Sequence, residues 1–75
     1  MKLSELKAGQ SAAVRKLTTT GKLKQRLADM GVLRGERISV IRTAPLGDPM
    51  EIEVKNYKLT LRRQDTEQII VEEVR

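Results

Sequence analysis

Apolar and polar residues alternate in three short runs of the second half of the chain, and this pattern limits the fold more than any other feature. The apolar members of the runs are Ile38 and Val40, then Met50, Ile52 and Val54, and finally Leu59 and Leu61. Ile41 interrupts the first run. A period of two places the apolar side chains of a run on one face of a β-strand. The pattern therefore predicts antiparallel strands with one buried face and one face in water.

The period changes to that of a helix around residues 21–30. The apolar side chains there recur at positions i, i+4 and i+7, which are Leu23, Leu27 and Met30. This spacing places them on one side of a short helix, which must pack against the rest of the protein to be stable. Thr20 is expected to cap the first turn through its side chain, and Gly31 fits the left-handed position that ends a helix. We therefore predict one helix from about residue 21 to residue 30.

The remaining segments complete a small β architecture. Residues 11–17 and 69–74 are interpreted as the first and last strands, and the polar stretch 62–68 as one helical turn. A tight turn joins two strands at residues 55–58, where Asn56 is expected to adopt a positive φ. Five strands in an open sheet would expose two edges, and curling the sheet into a barrel pairs most of them. We predict one domain of 75 residues, a mainly β, five-stranded SH3-like barrel with one short inserted helix.

Composition argues against several classes of protein. The chain has no cysteine and no histidine, which removes disulfides, thiolate metal sites, thiol catalysis and the commonest general base. Tyr57 is the only aromatic residue, so the row of aromatic side chains that binds Pro-rich peptides is missing. No apolar run approaches the roughly 20 residues that span a bilayer, and the N-terminus lacks the apolar segment of a secretory signal. These features predict a soluble, cytoplasmic protein.

The charge of the chain has two interpretations. Lys and Arg number 15 against 10 Asp and Glu, which gives a net charge of +5. An excess of this kind attracts nucleic acids and other polyanions, but it also keeps a small domain in solution. The basic residues are scattered among acidic ones, and the sequence offers no aromatic platform on which bases could stack. Nucleic-acid binding is therefore the second interpretation, after solvation.

Residues 44–49, which we call the proline corner, have the sequence APLGDP and contain both prolines of the chain. Pro45 fixes one φ angle, Gly47 is expected at the i+2 position of a type II turn, and the second proline begins the next strand. Asp48 is expected to accept hydrogen bonds from nearby backbone groups. Leu46 has two interpretations that the sequence does not separate. It either plugs one end of the barrel or stands at the tip as a contact for a partner.

Three motifs of this sequence resemble those of one known family. They are LADMGVLRG at residues 27–35, APLGDPMEIEV at 44–54 and YKLTLRRQD at 57–65. In this order they are similar to the FeoA family, small cytoplasmic accessory proteins of bacterial ferrous iron transport, and the similarity extends from about residue 3 to residue 74. The resemblance implies an SH3-like barrel with a helical insertion. It also implies a partner, the membrane transporter FeoB, which carries a cytosolic GTP-binding domain.

Iron transport raises the question of iron ligands, and the carboxylates of this sequence do not converge on a site. Glu51 and Glu53 lie on the wet face of one strand, while Glu72 and Glu73 are neighbours that a strand directs to opposite faces. This is not the usual arrangement of a first-row metal site. We expect no metal site, no cofactor and no catalytic residues.

The residues and the resemblance together predict a non-catalytic module that docks on the cytosolic part of a FeoB-type transporter. The residues expected to contact the partner are Leu46 and Asp48 in the proline corner, and Met30, Val32 and Leu33 at the end of the helix. Two alternatives stay open at this point. The chain could be a nucleic-acid-binding SH3-like domain, or a stand-alone relative of the C-terminal domain of metal-dependent repressors.

Overall fold

The structure, a computed structural model, describes residues 1–74. Within this range it contains five strands, two helices and an N-terminal 3₁₀ turn at Leu3–Glu5. In chain order the elements are β1 (Ser11–Leu17), α1 (Gly21–Asp29), β2 (Arg37–Thr43), β3 (Met50–Val54), β4 (Tyr57–Leu61), α2 (Arg63–Thr66) and β5 (Ile69–Glu73). The predicted mainly β architecture with one inserted helix is confirmed, and α2 is the predicted single helical turn. Neither helix within residues 1–74 has the length and apolar character to cross a membrane.

The five strands form one antiparallel sheet in the order β4-β3-β2-β1-β5. The last strand of the chain therefore pairs with the first, which lies between β5 and β2. The N-terminal residues pair with the outer edge of β5. The amide of Val71 donates to the carbonyl of Met1 at 2.8 Å, and Lys2 forms a bridge with Ile70. This pairing covers an edge that would otherwise present free backbone groups.

The interruption of the alternation at Ile41 corresponds to an irregularity in β2. The register of β2 with β3 shifts between Val40 and Arg42, which leaves Ile41 outside the regular pairing. A similar shift occurs in β1 between Val14 and Lys16. An extra residue in one strand of a pair bends that strand and increases its twist. The two shifts therefore favour a curled sheet over a flat one.

The core consists of aliphatic and methionine side chains from all five strands, from α1 and from the N-terminal turn. Its buried members are Leu3, Leu6, Ala12, Val14, Leu27, Val32, Ile38, Val40, Met50, Ile52, Val54, Leu61, Ile69 and Val71. Leu17, Leu23, Met30 and Leu59 are partly buried and pack against this cluster. The apolar residues of the alternating runs thus face the interior, as their period predicts.

The end of helix α1 is a Schellman motif. Gly31 has a φ of +92°, which confirms the left-handed position predicted for it. The amide of Gly31 donates to the carbonyl of Ala28, and the amide of Val32 donates to that of Leu27, each at 2.9 Å. A Schellman motif is commonly accompanied by an apolar contact between the residues that correspond here to Val32 and Leu27. Both side chains are fully buried.

Two predictions about backbone positions, one at the start of α1 and one in the β3–β4 turn, were wrong. Thr20 has the extended backbone of an N-cap, but its side chain makes no capping hydrogen bond. The next residue, Gly21, has a φ of +67°, which is far from a helical angle and turns the chain away from the expected cap geometry. In the β3–β4 turn the positive φ falls on Lys55, at +57°, and not on Asn56. Hairpin turns with a positive φ only at the first central residue are of type II′.

Candidate functional site at the proline corner and the end of helix α1

The proline corner is closed by two backbone hydrogen bonds. The amide of Gly47 donates to the carbonyl of Ala44 at 2.7 Å, and the amide of Ala44 donates to the carbonyl of Pro49 at 3.0 Å. The first bond places Pro45 at position i+1 and Gly47 at i+3, so the prediction that Gly47 occupies i+2 of a type II turn was wrong. Its expected positive φ is present, at +81°, and the Asp48–Pro49 peptide bond is cis.

Arg63, the first residue of α2, ties the proline corner to that helix. Its backbone amide donates to Oδ1 of Asp48 at 3.1 Å, and its guanidinium Nη2 donates to the carbonyl of Leu46. Asp48 therefore accepts a backbone hydrogen bond, as predicted, but from a residue 15 positions along the chain and not from a near neighbour. The corner is fixed from two sides, by its own backbone and by α2.

Leu46 stands at the tip of this corner with 83 % of its surface exposed. The interpretation in which it plugs one end of the barrel was therefore wrong. The physical reason is the turn itself, because the two central residues of a turn closed on both sides point away from the strands that it joins. The interpretation of Leu46 as a partner contact stays a prediction.

The predicted contact residues at the end of α1 differ in how much of them a partner could reach. Val32 is fully buried and belongs to the core, because the Schellman motif turns it inward, so its assignment to a contact surface was wrong. Met30 is half-buried, and its carbonyl accepts a hydrogen bond from the hydroxyl of Tyr57. Leu33 is 45 % exposed. Leu33 is thus the main apolar group that this end of the helix offers to a partner.

The proline corner and the end of α1 lie at opposite ends of β3. The corner joins β2 to β3 where Thr43 pairs with Met50. At Gly31 a Cβ atom would lie 3.6 Å from Val54 and 2.7 Å from the hydroxyl of Tyr57, so the end of α1 packs beside the other end of β3. A five-residue strand separates its first and last residues by roughly 13 Å. The predicted contact residues therefore form two surfaces and not one site.

Two of the four acidic side chains that the sequence raised as metal ligands are paired with arginines. Glu51 lies 2.9 Å from Nε of Arg42, and Glu72 lies 3.0 Å from Arg15. In the part of the chain that the structure describes, no three His, Cys, Asp or Glu residues are grouped so that they could hold a metal ion. Glu51 and Glu72 therefore form ion pairs with neighbouring arginines.

The structure defines a class of protein, a small curled β-sheet that displays apolar groups at two separate ends. A family model described as the FeoA domain matches residues 1–73, and the chain belongs to the FeoA family. The resemblance expected from the three sequence motifs is thereby confirmed.

Two relatives connect the family with iron(II) transport. A fusion protein of Porphyromonas gingivalis, named for Fe(2+) transport protein A and the Fe(2+) transporter FeoB, is 38 % identical over 72 residues. These residues are 96 % of this chain and 8 % of the fusion protein. The solution structure of iron(II) transport protein A from Clostridium thermocellum is 40 % identical, with a TM-score of 0.94 over 99 % of this chain and 46 % of that one. The chain thus spans less than half the length of either relative.

Two further solved structures bear on the fold. FeoA of Stenotrophomonas maltophilia, solved with zinc and described as a prokaryotic SH3 domain protein, is 26 % identical, with a TM-score of 0.85 over 96 % of this chain and 89 % of that one. The predicted SH3-like fold is confirmed. A manganese-dependent transcriptional repressor has a TM-score of 0.90 at 13 % identity over 99 % of this chain and 36 % of that one. That likeness concerns the fold alone.

Proposed function

We propose that this chain acts as one non-catalytic domain that docks on the cytosolic, GTP-binding part of a FeoB-type transporter and modulates ferrous iron uptake. The observation that carries the proposal is Leu46, an apolar side chain held 83 % exposed on a corner that two backbone hydrogen bonds and Arg63 fix in shape. A preshaped apolar contact loses little conformational entropy on binding, which is a property of effective interaction sites. The fusion of a relative to FeoB supports the choice of partner.

The second surface in this proposal is the end of α1, with Leu33 and the outer part of Met30. Asp48 has a supporting role, because its carboxylate holds Arg63 and so keeps the corner in place. A domain with these features acts by contact and needs no cofactor of its own. Its place of action is the cytoplasmic side of the membrane, which it reaches through the transporter.

The test is a calorimetric titration of the chain into the cytosolic domain of a FeoB-type transporter from the same organism. Leu46→Ala should weaken binding by about 1–3 kcal/mol, the range of a small apolar hot spot. Lys58→Ala, which truncates an exposed side chain near the start of β4, is the control and should bind like the native chain. Equal affinities for the native chain and Leu46→Ala would exclude the corner as the contact.

A parallel titration with random RNA or DNA separates the proposal from nucleic-acid binding. A protein that neutralises phosphates loses affinity steeply with salt, so binding to random RNA or DNA should vanish by about 0.2 M salt. Nucleic-acid binding that survives this salt concentration, together with no binding to the transporter domain, would replace the proposed function.

A further inference from the structure

Two adjoining grooves cross the surface between β5, β1 and the end of α1. One has a volume of about 640 Å³ and the other of about 270 Å³. Arg15, Lys16 and Arg34 line both grooves, so the two adjoin at these three cations and are treated as one surface. We call this surface the basic groove.

Apolar groups line both parts of the basic groove. Met1, with 48 % of its surface exposed, and the half-buried Ile70 line the larger part. Leu33, with 45 % exposed, and the half-buried Leu17 line the smaller part. Of the four large apolar side chains that the described residues leave exposed, two thus border this groove. Partly exposed apolar groups beside a concave surface are typical of binding sites.

Basic side chains outnumber acidic ones in the lining of the basic groove, which has Arg15, Lys16, Lys24 and Arg34 on one side of the count and Glu72 and Glu73 on the other. Arg15 is paired with Glu72 at 3.0 Å, and both side chains are more than half exposed. Lys16, Lys24 and Arg34 also line the groove, and none of them belongs to an ion pair within residues 1–74. An anionic group placed here would be attracted by three exposed cations that no ion pair neutralises.

We infer that the basic groove binds a short acidic segment of a protein partner, in which carboxylates alternate with apolar side chains. The carboxylates would meet Lys16 and Arg34, and the apolar side chains would cover Leu33. This inference rests on the proposed function, since it assigns such a segment to the transporter.

The shape and composition of the groove favour a peptide over the other polyanions. A flat anionic membrane would touch the rims of a concave surface and would approach Glu72 and Glu73, which line the same groove. A nucleic acid would find no aromatic side chain on which to stack its bases, because Tyr57, the only one in the chain, does not line either groove. An acidic segment can avoid the two glutamates and still reach the cations.

The first experiment measures the binding of a peptide to the basic groove in the absence of the transporter. The probe is a short fluorescein-labelled peptide in which Glu and Leu alternate, and fluorescence anisotropy follows its binding to the full chain. The test variant carries Lys16→Glu and Arg34→Glu, and the control variant carries Lys7→Glu and Lys58→Glu outside the groove. Each reversal removes two units of charge, so both variants have a net charge of +1 in place of +5. Differences between them therefore report position and not total charge.

The test variant should bind the peptide at least about tenfold more weakly than the control variant, as expected when like charges replace a complementary pair. Leu33→Ser should also weaken binding, while Leu46→Ser, an equivalent change at the proline corner, should not. A peptide with Lys in place of Glu should not bind. Equal affinities of the test and control variants, or no binding of the Glu–Leu peptide to the native chain, would overturn the inference. So would binding to phosphatidylglycerol vesicles in the absence of peptide binding.

The second experiment repeats the comparison with the cytosolic domain of the transporter. Weaker binding of the test variant than of the control variant supports the use of the groove by this partner. Native binding by both variants would overturn the assignment of the groove to the transporter while leaving the proposed function intact. Peptide binding without any binding of the native chain to the transporter domain would instead contradict the proposed function. Thermal unfolding of all variants checks that each is folded.

Discussion

The proline corner and the end of helix α1 both turn the chain through a glycine with a positive φ, but they are stabilised in different ways. The corner is held by bonds to its own backbone and to Arg63, and its apolar side chain points into water. The end of α1 also has backbone hydrogen bonds, but it is packed as well, because the hydroxyl of Tyr57 bonds to the carbonyl of Met30 and Val32 is buried in the core. The corner therefore relies mainly on hydrogen bonds, whereas the end of α1 combines them with core packing.

This difference explains which side chains are free for a partner. Leu46 contributes little to the stability of a corner that hydrogen bonds already define, so it is available for contact. At the end of α1 the same residues that could meet a partner also stabilise the fold, and only Leu33 is largely released from that role. The exposed side chain of the proline corner can be changed with little effect on stability, whereas the buried Val32 at the end of α1 cannot.

The largest expected effect is at the end of α1. Gly31→Ala places a Cβ atom 2.7 Å from the hydroxyl of Tyr57 and forces alanine into a left-handed conformation. The displaced tyrosine also loses its hydrogen bond to Met30. We expect a loss of about 2–4 kcal/mol in the free energy of unfolding, measured by urea denaturation. In a Tyr57→Phe background the clash is removed, and the cost of the same change should be smaller. An equal cost in both backgrounds would contradict this account.

A smaller effect is expected at the proline corner. Gly47→Ala also requires a left-handed alanine, but the new Cβ would lie 3.4 Å from the guanidinium of Arg63, which is the flexible end of a long side chain. We therefore expect a loss of about 1–2 kcal/mol, from the backbone conformation alone. A cost as large as that of Gly31→Ala would mean that the corner is as tightly packed as the end of α1, and the contrast between the two turns would fail.

The smallest effect is expected for Leu46→Ala. Truncation of a side chain that is 83 % exposed should change the free energy of unfolding by less than about 0.5 kcal/mol. Val32→Ala is the informative partner of this variant, because it removes buried methyl groups at the other turn. Thermal unfolding of the two variants side by side measures the contrast. A clear loss of stability in Leu46→Ala would show that the leucine packs on the protein.

Local pattern was sufficient to predict most of the fold. The period of two marks the inward side chains of β2 and β3, and the helical spacing of Leu23, Leu27 and Met30 marks the buried side of α1. These signals depend on neighbours within a few residues, which the sequence displays directly. The positive φ of Gly31 and Gly47 was predictable for the same reason.

The predictions that were wrong or incomplete depend on contacts between distant residues or on turn geometry. Asp48 accepts a hydrogen bond from Arg63, and Tyr57 donates one to Met30, which lies 27 positions away in the sequence. No local pattern predicts either bond. The burial of Val32, in contrast, has a local signal in the sequence. An apolar residue directly after the glycine that ends a helix occupies the position that packs back on the helix in a Schellman motif.

The hydrogen bond between Tyr57 and Met30 gives this protein an optical reporter at one of its two surfaces. The chain has one tyrosine and neither tryptophan nor phenylalanine, so its intrinsic fluorescence arises from the ring of Tyr57. A change at the end of α1 alters the surroundings of that ring, while the proline corner lies at the far end of β3 and has no chromophore. A partner that contacts the end of α1 should change the emission of Tyr57, and one that contacts only the proline corner should leave that emission unchanged. The two surfaces can therefore be told apart in solution without a label.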